Sequence, residues 1–388
     1  PVRGGIDALL APPVLRALGV PGADFRIGLS AHDLAGALGA PEVVLSRSER
    51  DEAGPAIPSR FLLRVQALLG ELLDRYEDRK TVALARAMTR APSAPAYSRP
   101  APQPQPEQRK VDISATALDR LLGDPYQFYA DRIMGLKDLD ALDAEPSAQW
   151  QGTVAHAILQ RWHETRERDP AARLAPIMQA VLDEENADPL MRGLWQPRLE
   201  AALRWIEEEI GAYDDRRVLA VEKQGAMTFD GVHVHGRADR IDRLADGSLA
   251  IIDYKTGTPP SAARVEAGFA LQLGVLGLIA ERGGFEGLAG DAQGYEYWSL
   301  GKAKDAENRY GFGYVDVPLK VGRKTSGVAP EEFLPLTADK LTLAINRFIK
   351  GNDSFTAREN PDYPAYDTYD QLMRLDEWIA HQDGGETA

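Results

Sequence analysis

The most distinctive pattern of apolar and polar positions in the chain is LAIIDYKTG, in which an apolar stretch ends in charged residues. Its length and the TGTPP sequence at its end predict a buried strand followed by a turn. Because side chains alternate along a strand, Ile251, Asp253 and Lys255 share one face, whereas Ile252 and Tyr254 share the other. An acidic and a basic side chain therefore point the same way from a strand that is apolar enough to be buried.

The surrounding sequence predicts an α/β domain. The predicted strands are about 217–229, 231–239 and 248–254, followed by GYEYWSL and GFGYVDVPL. The predicted helices are three amphipathic stretches within 146–213, one helix after the DYK strand, and further helices over 331–350 and 375–381.

The helix after the DYK strand carries a polar residue on its apolar face. Val265, Phe269, Gln272, Leu276 and Ile279 fall at steps of four and three along one face. A buried amide without partners costs about 2 kcal/mol or more. Gln272 therefore either bonds to backbone groups in the core or belongs to a site.

An earlier helix, WQGTVAHAILQRWHE, carries a histidine opposite its apolar stripe. The stripe consists of Trp150, Val154, Ile158 and Trp162, at steps of four. His156 lies on the other side, where it is either a surface histidine or a ligand.

Metal-assisted hydrolysis of a phosphodiester requires residues of these types. Carboxylates hold Mg²⁺, which prefers oxygen ligands, and Mn²⁺ is the other candidate. A nearby ammonium stabilises the charge that develops on the phosphate. Asp239 in HVHGRADRID is the candidate second carboxylate, with Asp242 as its rival, and Glu222 in VLAVEKQGAMTF is a third. The alternative is that Asp253 and Lys255 form a solvated ion pair and that Glu222 lies on a wet strand face.

The charge of the chain limits how it can bind nucleic acid. A net charge of −14 argues against nonspecific coating of nucleic acid, although a basic groove can coexist with acidic outer faces. The loop LKVGRKTSG, with Lys320, Arg323 and Lys324, is the best candidate for phosphate contact. Such basic loops are also common on soluble surfaces.

The absence of several sequence features excludes some classes of protein. The chain has no cysteine, which excludes disulfides, thiolate-bound zinc and cysteine-ligated iron–sulfur clusters. It has no apolar run that could span a bilayer and no N-terminal signal, so we expect no membrane partner and a cytoplasmic setting. It also has no G-x-x-x-x-G-K-[ST] sequence, so no nucleotide site is predicted.

The chain is predicted to contain two domains and a linker. Residues 1–90 are predicted to form helix, loop, helix, strand and helix, with the strand in PEVVLSRS. Ser30 and Ser59 are the predicted helix caps, the second for a helix from Arg60 to Arg90. Residues 91–110 contain six prolines and are expected to form an extended linker, or else a ligand for a proline-binding module. The second domain is predicted over 111–388.

The sequences GRADRID and IIDYKTG, whose residues Asp239 and Asp253 are fourteen positions apart, resemble the core of PD-(D/E)XK nucleases of the RecB and AddB family. GTVAHAIL resembles the histidine helix of the same family. The resemblance implies a restriction-endonuclease-like fold, a mixed central sheet flanked by helices, preceded by a small helicase-like α/β remnant. It also implies site roles, in which His156, Asp239 and Asp253 bind metal, Lys255 and Gln272 serve catalysis, and Glu222 is the acid of the first core strand.

The same resemblance implies a Mg²⁺-dependent exonuclease of a helicase–nuclease complex that processes double-strand breaks with an AddA-like subunit. A bacterial, nucleoid-associated location would follow. Asp124 and the tail residues Asn360, Tyr363, Tyr366 and Tyr369 stand where cluster-bearing relatives have cysteines, so a cluster-free, alphaproteobacterial type of AddB is expected.

Two alternatives remain open. One is a stand-alone nuclease of the Cas4 or phage exonuclease type. The other is a DNA-binding or AddA-docking module without catalysis. Since the chain begins with Pro1 rather than methionine, we also expect it to be a piece of a longer protein.

Overall fold

The fold is described from a computed structural model of the chain. The residues it describes are 11–21, 23–51, 54–90, 97–137, 148–185, 189–210, 216–305, 308–320, 322, 326–363 and 367–382. The chain divides into two compact units, residues 1–95 and residues 96–388.

The first unit is mainly helical over its described residues. Its elements are α1 (Pro12–Ala17), α2 (Ala23–Ala37), β1 (Arg50–Asp51), β2 (Gly54–Pro55), α3 (Arg60–Leu69), α4 (Leu73–Tyr76) and α5 (Arg79–Met88). Ser59 caps α3, because its Oγ accepts a hydrogen bond from the backbone N–H of Leu62 at 3.2 Å. The helix ends at Gly70, whose φ of +46° favours glycine, so the helix predicted from Arg60 to Arg90 is interrupted.

Two other predictions for this unit are wrong. PEVVLSRS forms no strand, and the single ladder among the described residues of the unit joins the two-residue strands β1 and β2. An apolar run becomes a strand only where a neighbouring strand takes up its backbone hydrogen bonds. Ser30 lies inside α2 and therefore does not cap a helix.

The second unit contains both helices and strands. Its first elements are β3 (Ile113–Ser114), α6 (Ala115–Gly123), α7 (Pro125–Phe128), α8 (Ala148–Arg166), α9 (Leu174–Glu184) and α10 (Pro189–Trp205). They are followed by β4 (Arg216–Phe229), β5 (Val232–Leu244), β6 (Leu249–Lys255), α11 (Ala262–Glu266), α12 (Gln272–Glu281), β7 (Ala292–Lys302), β8 (Phe312–Asp316), α13 (Pro330–Ala344) and α14 (Leu375–Gln382). Among all described helices of the chain, none has the length and apolar character needed to cross a membrane.

The six strands of this unit form one mixed sheet. Its order is β3-β5-β6-β7-β8, with β4 paired to β5 as well. β5 is antiparallel to β4 along its length and to β6 near its end, and it is parallel to β3. β6 is parallel to β7, which is antiparallel to β8. The predicted α/β class with a mixed central sheet flanked by helices is confirmed.

Both faces of β6 are buried, as its apolar sequence predicts. Ile251 packs with side chains of α6, α12 and α13, whereas Ile252 and Tyr254 pack with side chains of α8, α9 and α10. Lys255 lies at the end of the strand, where its side chain is 30% exposed. The alternation along this strand therefore sends neighbouring residues into two different cores.

Part of the predicted linker 91–110 packs against the second unit. The backbone N–H groups of Phe355 and Ala357 donate hydrogen bonds to the carbonyl oxygens of Pro102 and Pro100. Proline has no N–H to donate but keeps its acceptor oxygen, so a proline-rich segment can dock in this way.

Arg109 secures the same segment. Its side chain is buried, and its guanidinium donates hydrogen bonds to the backbone oxygens of Pro104, Phe348 and Asp353 at 2.8–3.0 Å. The guanidinium also lies over the ring of Phe355. The second unit therefore begins before the predicted boundary at residue 111.

Asp124 and the tail, the two segments expected to carry cysteines in cluster-bearing relatives, contact each other. Asp124 is buried and accepts a hydrogen bond from the backbone N–H of Arg358 at 3.0 Å. The Asn360 side chain donates to the Leu122 oxygen at 2.8 Å, and its backbone N–H donates to the Gly123 oxygen at 3.0 Å. Hydrogen bonds therefore join the end of α6 to the tail.

Aromatic contacts add to this junction. Tyr363 stacks on Phe269 with ring centroids 4.3 Å apart, and the Tyr369 hydroxyl donates to the Leu136 oxygen at 2.9 Å. Tyr366 lies outside the described residues. Packing and hydrogen bonding thus close this part of the unit.

Replacing Arg109 with alanine is expected to destabilise the second unit by about 3 kcal/mol, because it leaves buried carbonyl oxygens without donors. Denaturant unfolding of the Arg109→Ala variant measures this change. The neighbouring exposed Lys110 gives a matched control, for which Lys110→Ala is expected to change the free energy of unfolding by less than about 0.5 kcal/mol. Equal stability of the two variants would show that residues 97–110 are only a tether.

Candidate active site

Five elements bring the six predicted site residues to one end of the sheet. α8 supplies the histidine, β4 and β5 each supply a carboxylate, β6 supplies an aspartate and a lysine, and α12 supplies a glutamine. In that order they are His156, Glu222, Asp239, Asp253, Lys255 and Gln272.

Three of these residues form a group that we call the metal cluster: His156, Glu222 and Asp239. One ligand atom from each lies within 4.8 Å of the others. His156 Nδ1 is 3.1 Å from Glu222 Oε1 and 3.5 Å from Asp239 Oδ1. His156 Nε2 donates to the Tyr254 carbonyl oxygen at 3.1 Å, which leaves Nδ1 as the nitrogen that faces the carboxylates.

The backbone explains how the two carboxylates meet. Glu222 has a φ of +48°, a left-handed conformation that glutamate rarely adopts, and it turns the side chain toward α8. Asp239 lies where β5 separates from β6, since the pairing between these strands ends at Arg240 and Ile252. The backbone N–H of Tyr254 donates to Asp239 Oδ2 at 2.7 Å and so holds this carboxylate at the strand end.

Charges in the metal cluster are strongly coupled. Burial alone would lower the pKa of His156, but the hydrogen bond to Glu222 and the charge of Asp239 outweigh it and raise that pKa. Burial, followed by repulsion from Asp253, raises the pKa of Asp239. The carboxylates therefore require a positive charge among them, either a proton on His156 or a bound cation.

The remaining residues form a second group, the lysine set, which consists of Asp253, Lys255 and Gln272. The Gln272 Nε2 donates to Asp253 Oδ1 at 2.7 Å, and Lys255 Nζ donates to Gln272 Oε1 at 3.3 Å. Lys255 Nζ is also 2.7 Å from Asp253 Oδ2. The amide thus fixes the aspartate and the ammonium relative to each other.

The carboxylate oxygens and the imidazole nitrogen of the site suit a divalent cation as ligand atoms. Glu222 Oε2 and Asp253 Oδ2 are buried without a hydrogen bond, although Arg237 Nε and Lys255 Nζ lie 2.9 and 2.7 Å away as ion pairs. Buried carboxylate oxygens without hydrogen bonds are costly unless a cation neutralises them. Carboxylate oxygens with one imidazole suit Mg²⁺ or Mn²⁺.

The composition of the metal cluster differs from the predicted ligand set. Glu222 joins His156 and Asp239 in the compact group, whereas Asp253 lies beside it and contacts the lysine set. Metal binding by Asp253 stays a prediction. Asp242, the rival of Asp239, lies elsewhere: it is buried and accepts two hydrogen bonds from Arg240 at 2.7 Å.

The position of Gln272 in its helix differs from the prediction. The predicted helix is broken after α11, and Gln272 is the first residue of α12 rather than a residue in its middle. Gly268, with a φ of +83°, lies in the break. A helix start leaves the side chain free to reach β6.

The predicted phosphate-binding loop is only partly described. Lys320 lies near α11, with its Nζ 3.9 Å from Glu266 Oε1 and its side chain 42% exposed. Arg323 and Lys324 lie outside the described residues. Their contact with DNA stays a prediction.

Sequence reasoning missed two residues, one that contacts Glu222 and one that holds the residue before Gln272. Arg237 lies beside Glu222, and its position in GRADRID, two residues before Asp239, is the signal that could have indicated it. Asp119 accepts a hydrogen bond from the backbone N–H of Leu271 at 2.8 Å, directly before Gln272. Burial raises the pKa of Asp119 to about 6, and no pattern in α6 distinguished this aspartate from a surface residue.

Relatives with similar sequences cover part of the chain. An uncharacterized protein of Rickettsia conorii is 26% identical over 186 residues, which are 45% of this chain and 22% of that protein. A protein of Streptococcus uberis, named as a subunit of an ATP-dependent helicase/deoxyribonuclease, is 26% identical over 160 residues, 39% of this chain and 14% of that protein. The chain therefore spans less than a quarter of the length of these relatives.

Among solved structures, the crystal structure of SSO0001 aligns with 49% of this chain and 73% of that chain, at 14% identity and a TM-score of 0.19. A likeness of this extent carries no argument.

A family description matches the region that contains the site. Residues 112–368 match the PD-(D/E)XK nuclease superfamily, and this span includes the whole mixed sheet, the metal cluster and the lysine set. The chain therefore belongs to the PD-(D/E)XK nuclease superfamily.

Proposed function

We propose that the chain is a Mg²⁺-dependent deoxyribonuclease that hydrolyses phosphodiester bonds at DNA ends. The observation that carries this proposal is the metal cluster directly beside the lysine set, which places three carboxylates, one imidazole and one ammonium at one end of the sheet. Mn²⁺ is the alternative cation. Membership of a nuclease superfamily supports the reaction class.

Each group of residues has a separate task in this proposal. His156, Glu222 and Asp239 would hold the cation, with Asp253 beside them. The cation would lower the pKa of a bound water and polarise the phosphate. The backbone of Tyr254 would orient two of the ligands, since its N–H donates to Asp239 and its carbonyl oxygen accepts from His156.

Lys255 provides the positive charge for the reaction. Its ammonium would stabilise the charge that develops on the phosphate oxygens and orient the attacking water. Gln272 would hold both Lys255 and Asp253 in place, because its amide bonds to each of them. A fixed ammonium needs no reorganisation as charge develops, which is the source of its catalytic effect.

The wider role that we propose is the processing of double-strand breaks within an AddAB-type helicase–nuclease, in the bacterial cytoplasm near the nucleoid. The name of the Streptococcus uberis relative, which describes it as a subunit of an ATP-dependent helicase/deoxyribonuclease, supports this assignment. In it, an AddA-like protein is the partner. The helicase-like character of residues 1–90 is part of the same proposal.

A second candidate function is a DNA-binding or AddA-docking module without catalysis. The ion pair between Lys255 and Asp253, at 2.7 Å, favours this second function, because the lysine would then serve only to neutralise a buried acid. This function requires DNA binding that is indifferent to Mg²⁺. A stand-alone nuclease of the Cas4 or phage type would instead cleave without any partner.

The first test is cleavage of end-labelled single-stranded and duplex DNA with Mg²⁺, Mn²⁺ or EDTA. Asp253→Ala and Lys255→Ala are expected to slow cleavage about a hundred-fold or more while the chain still folds. Lys350→Ala changes an exposed lysine beyond the end of α13; it is the control and should cleave normally. Loss of folding in both site variants would make these residues structural. If the chain alone does not cleave DNA, the assay is repeated with an AddA-like protein. Absence of cleavage in that assay would favour the docking module.

The metal cluster gives a prediction about the Mg²⁺ concentration that cleavage requires. Glu222→Gln removes a negative charge from the cluster while preserving size, so the Mg²⁺ concentration for half-maximal cleavage is expected to rise about ten-fold or more. Glu208→Gln, at an exposed glutamate of the same unit, is the matched control. An unchanged Mg²⁺ midpoint in Glu222→Gln would remove Glu222 from the ligand set.

The lysine set gives a prediction of a different kind. Gln272→Met keeps the length of the side chain but loses both hydrogen bonds, so the rate at saturating Mg²⁺ is expected to fall about ten- to a hundred-fold. The Mg²⁺ midpoint should stay constant, because Gln272 lies outside the metal cluster. A shifted midpoint with an unchanged maximal rate would contradict the positioning role.

A further inference from the structure

A row of side chains continues from the metal cluster along the exposed face of β5. Because side chains alternate along a strand, Arg237, His235 and His233 share a face with Asp239, whereas the even-numbered residues of 232–238 are buried. We call the first three residues the β5 row. At about 3.3 Å per residue, the row ends about 20 Å from Asp239.

The neighbouring strand adds no negative charge to this face. The β4 residues directly opposite the β5 row are Gln224, Ala226 and Thr228. Gln224 and Thr228 are exposed and uncharged. On these two strands, whose residues are all described, the next carboxylate toward the site is Glu222 of the metal cluster.

Positive charge borders the row at its start and along its side. Arg237 has a 55% exposed side chain, and its Nε is 2.9 Å from Glu222 Oε2, so the row begins at the metal cluster itself. Arg132 donates from Nη2 to Ser114 Oγ at 2.9 Å, and Ser114 pairs with His235 across the sheet. Arg132 Nε also lies 3.3 Å from Asp131 Oδ2. In a chain with a net charge of −14, two arginines that pair with carboxylates on one side can still offer their remaining N–H groups to phosphates.

The two histidines add flat rings to this surface. Their ring centroids are 5.6 Å apart, with 21° between the ring planes. Burial, followed by the positive charge of Arg132, lowers the pKa of His235 and so favours the uncharged ring. At the far end, His233 Nδ1 lies 3.0 Å from Asp112. Rings in this arrangement offer stacking surfaces between charged contacts.

We propose that the β5 row, with Arg132 at its side, is the surface on which a single strand of DNA lies as it enters or leaves the metal cluster. This inference rests on the proposed nuclease function. Arginines that contact phosphates, interleaved with rings that stack on bases, are the means by which proteins bind single strands. A row one strand wide, continuous with the site at Glu222, matches one DNA strand rather than a duplex.

The test is the affinity of the full chain for a fluorescent single-stranded oligonucleotide, measured in EDTA so that no cleavage occurs. Arg237→Gln and the double variant His233→Ala/His235→Ala are each expected to bind about ten-fold more weakly. Arg237→Gln should also reduce the salt slope by about 0.7, the value for one phosphate contact on a single strand. Arg217→Gln, at an exposed arginine elsewhere on β4, is the matched control and should bind like the wild type.

Single-strand affinity that is unchanged in the row variants, in a chain that still cleaves DNA, would overturn the inference and leave the nuclease function intact. Equal losses for duplex and single strand would overturn it in favour of a duplex. Loss of association with an AddA-like protein, with DNA affinity unchanged, would overturn it in favour of a protein partner. A wild-type chain that binds single strands through the row yet fails to cleave with any metal would support the inference while the nuclease proposal fails.

A second measurement does not depend on affinity. The chain has no cysteine, so His233→Cys introduces a single thiol. Disulfide cross-linking to strands that carry one thiol-modified nucleotide is expected to favour one position relative to the cleaved bond. Equal cross-linking at every position would contradict a fixed path along β5.

Discussion

The backbone of Tyr254 is the element on which the whole site depends. Its N–H holds Asp239 and its carbonyl oxygen holds His156, at 2.7 and 3.1 Å. The same residue separates Asp253 from Lys255 in the chain, so one backbone unit fixes the metal cluster relative to the lysine set. The Tyr254 ring is buried on the opposite face with Trp298, which prevents the strand from turning about its axis.

Concentrating carboxylates at this point has a cost that the fold must offset. Asp239 is destabilised as an anion by burial and by Asp253, and Glu222 occupies an unfavourable backbone conformation. The surrounding sheet supplies rigidity through a buried pair, in which Arg240 binds Asp242 with two hydrogen bonds and stacks on Trp298. In the proposed function, a bound cation would take the place of the proton on His156 and offset the repulsion between Asp239 and Asp253, which would couple metal binding to local order.

The parts of the fold that local periodicity determines could be predicted from the sequence. Strand alternation placed Asp253 and Lys255 on one face and Tyr254 on the other, and the packing of β6 agrees. The predicted strand in PEVVLSRS failed because strand formation depends on a distant partner. The packing of residues 97–110 was not predictable for a similar reason, since the burial of Arg109 depends on carbonyl oxygens more than 200 residues away.

Gln272 shows most clearly why the site was only partly predictable. Helical periodicity placed it mid-helix, but the loop before α12 is held by contacts that no local pattern encodes. Asp119 bonds to the Leu271 N–H, and Tyr363 stacks on Phe269. Since these contacts come from α6 and from the tail, the tail junction that closes the unit also positions the loop that carries the glutamine. Stability of the unit and orientation of Lys255 are therefore linked through this loop, so a change in the tail can alter the hydrogen bonds of Gln272 to Asp253 and Lys255.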